Sequence, residues 1–191
     1  MRAPARTFFW GSVLVACGIA AFVTREPAPP GSSLTMRLAG PLAGPLAAAQ
    51  WVRVDLAIRA GRTELALARA ETAFELNPTS TSGWYFLSRH LGLDLASPER
   101  EPDAEVRRRW VRAALAVAAR GEARAENPAE LAFWQGLLLA RTGEVDPQIG
   151  WEGGADALWT EAAEHFERAE RLGHPDGAAA AAQARRVRDA R

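Results

Sequence analysis

Between Thr63 and Leu76 the apolar positions Leu65, Ala66, Ala70, Ala73 and Phe74 return at spacings of three and four. That period places them on one face of a helix. Gly61 breaks the chain ahead of this helix. Pro78, which lacks a backbone donor and crowds the preceding turn, stops it after Asn77. A similar pattern from Ala47 to Ala60, carried by Trp51, Val54 and Ile58, predicts the helix before it. The two form a helix–turn–helix hairpin of about 34 residues that closes on a proline. Further helices are predicted from about Ala104 to Ala125, from Trp134 to a turn at Gly143, and over the segment holding Ala162, Phe166 and Ala169. Polar insertions fall at residues 94–103 and 144–155. The expected fold class is all-α.

The hairpin pattern recurs. Asn77-Pro78 returns as Asn127-Pro128, fifty residues on. Trp84 and Trp134 each stand six residues after the proline, and Leu87 and Leu137 stand three after their tryptophans. This arrangement resembles the tetratricopeptide repeat, whose second helix carries small residues so that two helix backbones approach closely. Ala66, Ala70, Ala73 and Pro78 match that second helix, and Trp84, Leu87, Ser88 and Leu91 match the first helix of the next unit. The middle unit departs from the pattern. Ala116 and Ala123 stand at the family's small positions, but Arg120 takes a place that is usually apolar, and Trp110 is expected on the inner face. In the third unit Ala162, Phe166 and Ala169 match, with Pro175 one residue late. The resemblance implies a short α-solenoid of about three units, near residues 47–80, 81–128 and 129–176, with a capping helix at 177–191. A plain antiparallel helix bundle is the alternative architecture. The shared fifty-residue offset argues against it.

Ahead of the hairpins, Thr7 to Thr24 is an uncharged stretch of eighteen residues, apolar from Phe8 to Val23 and led by Arg2 and Arg6. At about 1.5 Å per residue it spans about 27 Å, enough for the hydrocarbon core of a bilayer. Residues 1–25 therefore read as a membrane anchor or signal. Two anchors remain open. An uncleaved transmembrane helix is favoured because Gly18 to Val23 stay apolar. Alternatively, Leu14-Val15-Ala16-Cys17 resembles the lipobox of bacterial lipoproteins, which would make Cys17 the lipidated residue. In either case the arginines keep the N-terminus in the cytoplasm and put the bulk of the chain in the periplasm or outside the cell. Residues 26–46 read as a Pro/Gly-rich linker, extended over Glu26 to Ser33. From Leu34 to Pro45 it is either packed on the first helix or irregular.

Composition narrows the function. Arginines and acidic residues balance at 23 each, and the chain has no lysine. The basic excess expected of a nucleic-acid binder is missing, and a lysine Schiff base or phosphate-loop lysine is excluded. Cys17 is the only cysteine, so an internal disulfide and a cysteine-based zinc cluster are excluded as well. His90, His165 and His174 show no metal-binding spacing. Gly153-Gly154 lacks the rest of a dinucleotide fingerprint, and Glu99, Glu101 and Asp103 are explained by a polar insertion. The expectation is a non-enzymatic protein with no cofactor, no metal and no small-molecule substrate.

The family resemblance implies a concave groove lined by the first helix of each unit. In that register Trp51, Asp55 and Arg59 come from the first unit, Tyr85 and Arg89 from the second, and Gln135 and Leu139 from the third. Trp51 and Tyr85 have core packing as a competing role. Aromatic and arginine side chains dominate binding hot spots, and paired arginines can clamp a carboxylate or phosphate. Trp151, set among glycines, is either an interaction knob or folded back over the last hairpin. The expected function is a membrane-tethered protein- or peptide-binding scaffold. The alternatives are a structural or assembly subunit of an envelope complex, or an enzyme with an unrecognised site.

Overall fold

The structure is a computed structural model that describes residues 34–191. The anchor segment, Cys17 and the linker up to Ser33 lie outside the described residues. The described chain is helical, and no strand occurs among these residues. In order it forms α1 (Leu34–Ala39), a 3-10 turn (Gly40–Leu42), α2 (Ala43–Arg59), α3 (Thr63–Leu76), α4 (Thr81–Arg89), a π-helical turn (His90–Leu95), α5 (Ala104–Glu122), α6 (Pro128–Val145), α7 (Gly154–Arg171) and α8 (Gly177–Asp189). The contacts divide the chain between Asn77 and Pro78 into two compact units.

In the first unit α2 packs on α3. The buried positions of α2 are Ala43, Ala47, Val54 and Ala57, and those of α3 include Ala66, Ala70, Ala73 and Phe74. Small side chains on both partners let the backbones approach. Trp51 meets Phe74 edge-on, ring centroids 5.3 Å apart. Residues 34–46 are helical rather than irregular, so the linker ends earlier than its composition suggests. α1 packs on α3, and Thr35 Oγ1 donates to Glu75 Oε2 at 3.0 Å.

In the second unit α6 is the central element, packed against α4, α5 and α7, while α8 packs on α7. Local chemistry sets the helix starts. Ser80 caps α4 by accepting from Gly83 N, and Asp103 caps α5 by accepting from Glu105 N at 2.8 Å. Asn127 caps α6 with Pro128 in its first turn. Two sequence expectations shift here. α6 does not turn at Gly143 but runs through it to Val145, because Gly143 is buried against Leu158 and Trp159. Ala116 and Ala123 face solvent, and the buried small positions of α5 are Ala114, Ala118 and Gly121. Gly136 is a required close approach: a Cβ there would lie 2.7 Å from the Phe166 ring. Ala162, Phe166 and Ala169 line the buried face of α7.

Candidate partner-binding site

The residues expected to line a groove fall in both units. In the first, Trp51 is half-buried against Phe74, and Arg59 Nε pairs with Asp55 Oδ2 at 2.8 Å on an exposed surface. In the second, Tyr85 is exposed along one edge and meets the Trp134 ring at 4.6 Å, while Arg89 lies exposed at the end of α4. Gln135 departs from the expectation. It is 1% exposed, and its amide donates to Glu122 Oε2 at 2.8 Å and to Leu131 O at 3.2 Å. Leu139 is buried too, and the exposed position on this stretch of α6 is Leu137. The reason is that α6 has neighbours on several sides. The residue after Trp134 is therefore enclosed, whereas an edge helix would present it. Leu137 and Leu87 are accordingly not equivalent, since Leu87 is buried.

A feature that spacing did not reveal is a cleft of about 220 Å³ beside the π-helical turn. Ala96 N donates to Leu91 O, five residues back, at 3.2 Å. Such a turn holds one residue more than an α-helical turn and occurs often at functional sites. Gly92 lets it press inward, because a Cβ there would meet Leu138 Cδ1 at 2.6 Å. His90 is buried, and its Nδ1 lies 2.9 Å from Asp94 Oδ2. The apolar walls of the cleft include Leu93, Ala96, Val111, Val145 and Ile149, and Ser97 and Thr142 border it with hydroxyls. Asp146, which also borders it, accepts from buried Arg107 Nε at 2.7 Å. Arg107 Nη1 donates to Glu101 O at 2.9 Å and to Pro102 O at 2.7 Å, which fastens the end of the 94–103 insertion to the C-terminal end of α6. Arg141 stands at the cleft, paired with Glu144 at 3.3 Å. The charges are thus mutually neutralised, and the walls present apolar surface suited to holding an apolar side chain.

The 146–153 loop closes one side of this region. Trp151 is folded back and buried, its indole N–H donating to Glu161 Oε2 at 3.0 Å. Arg112 lies over the Trp151 ring, 4.0 Å from its centroid, and donates to Glu161 Oε1 at 3.0 Å. Arg108 donates to Gly150 O. Beside the loop, Trp159 is buried, and its indole N–H has no hydrogen-bond partner among the described residues.

The other two histidines are also built into the structure. His174 stacks on Phe133 with ring centroids 3.9 Å apart. His165 lies with its Nδ1 2.6 Å from Arg168 Nη2. Burial, and then the Arg168 charge, push its pKa down to about 4. Among the described residues there is no cluster of three or more His, Cys, Asp or Glu that could hold a metal. None of their helices is long and apolar enough to cross a membrane. Set against known proteins, the chain matches no family model, no curated protein and no solved structure.

Proposed function

We propose that this chain is a membrane-tethered, tetratricopeptide-like binding scaffold that holds a protein or peptide partner. On this reading α2/α3, α4/α5 and α6/α7 are three successive hairpins, and α8 caps the last. The buried alanines of α3 and the Ala162, Phe166 and Ala169 face of α7 support it. The anchor within residues 1–25 holds the scaffold at the membrane, with the helical part on the extracytoplasmic side. The observation that carries the binding role is the cleft beside the π turn. Its apolar walls stand over charges that are already paired, so it can accept an anchoring side chain without leaving an ion uncompensated.

The test is crosslinked affinity capture of the full chain from its native membranes. Val145→Glu puts a charge at the exposed edge of the cleft, and Ala96→Trp fills it. Each is expected to lower recovery of the crosslinked partner about 10-fold, while Arg59→Ala and Arg89→Ala, made singly, report separately on the exposed arginine of each unit. Unchanged capture by correctly folded Val145→Glu and Ala96→Trp chains overturns the cleft assignment. The second reading, a structural subunit with buried outer faces, is favoured by the exposed leucines of the first unit.

A further inference from the structure

Among the described residues, six of the ten exposed large apolar side chains fall between Leu34 and Leu56. They are Leu34, Leu38, Leu42, Leu46, Val52 and Leu56, each between 45% and 80% exposed. The first four follow one another at intervals of four. At about 100° per residue, Val52 and Leu56 lie on the side of α2 away from Ala43, Ala47, Val54 and Ala57, the positions buried in the hairpin, and Leu46 lies at the edge of that buried face beside Ala57. α2 is therefore apolar on both sides, and only one side is covered by α3. Exposed large apolar side chains gathered on one segment mark a surface that meets something other than water.

Two observations select the occupant. The uncharged stretch ends at Thr24, and only nine residues separate it from Leu34. Nine extended residues reach about 30 Å at most, so a bilayer holding that stretch keeps the strip close to its surface. Charge points the same way. From Leu34 to Arg62 the sequence carries four arginines and a single acidic residue, Asp55. A second copy of the chain would set these arginines against their own kind. Anionic lipid headgroups complement them. We propose that the α1–α2 strip lies on the bilayer surface, with its leucines among the acyl chains and its arginines at anionic headgroups. The inference rests on the anchor reading and deepens it: the first hairpin is a second membrane contact, made in the plane of the membrane.

The test uses the full chain, purified from membranes and reconstituted in vesicles of three parts phosphatidylcholine to one part phosphatidylglycerol. A photoreactive diazirine amino acid replaces either Leu42 or Ala68, the latter on the solvent-facing side of α3 in the same unit. Flotation reports the anchor, and mass analysis after irradiation reports lipid adducts. The expected result is flotation of both proteins, with at least about 5-fold more lipid adduct at position 42 than at 68. Adding Leu38→Gln and Leu46→Gln should lower the adduct at 42 by about half or more without loss of helicity. Flotation with equal adduct at both positions overturns the in-plane contact and leaves the anchor standing. Crosslinks from position 42 to protein in place of lipid overturn it too, and show a second copy or the N-terminal segment as the occupant. Failure to float overturns the anchor reading and the inference together.

Discussion

Arg107 and Asp146 are thirty-nine residues apart in sequence and form a pair that water barely reaches. Removing one partner of such a pair strands the other charge, whereas replacing both with apolar side chains removes the desolvation penalty as well. Asp146→Ala is expected to cost about 3–5 kcal/mol in urea unfolding, and Arg107→Met with Asp146→Leu much less. Equal losses in the two proteins would show that the backbone contacts of Arg107, not the ion pair, dominate. His165 gives a pH dependence. Its folded-state pKa of about 4 lies below the ordinary value of 6.5, so the unfolded chain takes up its proton first as pH falls. Stability from this group is complete above about pH 6.5 and is lost progressively down to about pH 4. Unfolding midpoints measured between pH 7 and pH 4 should fall more steeply in the parent than in His165→Gln. At this scale the sequence was only partly legible. The buried alanines of α3 follow from period alone, because the adjacent helix α2, next to it in sequence, covers that face. Gln135 does not, because its burial depends on helices far away in sequence.

Between elements, the recurring Asn-Pro-and-Trp pattern joins two different local structures. Asn77 ends α3 and Ser80 caps the next helix, whereas Asn127 itself caps α6. Trp84 Nε1 donates to Pro78 O at 2.8 Å, while Trp134 Nε1 donates to Ser88 Oγ at 2.8 Å. Equal spacing thus conceals unequal bonding, and spacing alone cannot distinguish the two. Ser88 Oγ also donates to Ala114 O at 2.8 Å, so one hydroxyl joins α4, α5 and α6. Ser88→Ala leaves a buried indole N–H unpaired and is expected to cost about 1–3 kcal/mol. In a double-mutant cycle with Trp134→Phe the losses should be non-additive, since both changes remove the same bond. At the α5 crossing, a methyl on Gly121 would sit 2.6 Å from Trp84 Cβ and 2.9 Å from Leu131 Cδ1. Alanine ordinarily gains about 0.5–1 kcal/mol over glycine in a helix. Here overpacking outweighs that gain, and Gly121→Ala should lose about 1–3 kcal/mol in the same unfolding assay.

Across the whole molecule, burial is uneven. α6 has the most buried residues and α1 ends on exposed leucines. Amide exchange of the full chain in detergent micelles should therefore be fastest in α1 and the 3-10 turn and slowest in α6. Comparable protection in both would contradict this ranking. The helical class was readable because apolar period and Gly/Pro breaks act locally. The cleft was not, because it arises from one surplus residue in a turn and a distant ion pair. That surplus has a consequence for how the chain tolerates changes in length. Since i to i+5 winding stores one residue beyond regular helix, deleting Leu93 would let His90–Leu95 relax to ordinary α winding. The residue removed is the surplus one, so the chain beyond the turn would keep its direction relative to α4. Along this helix, the π turn is thus where a one-residue deletion could be absorbed by rewinding alone.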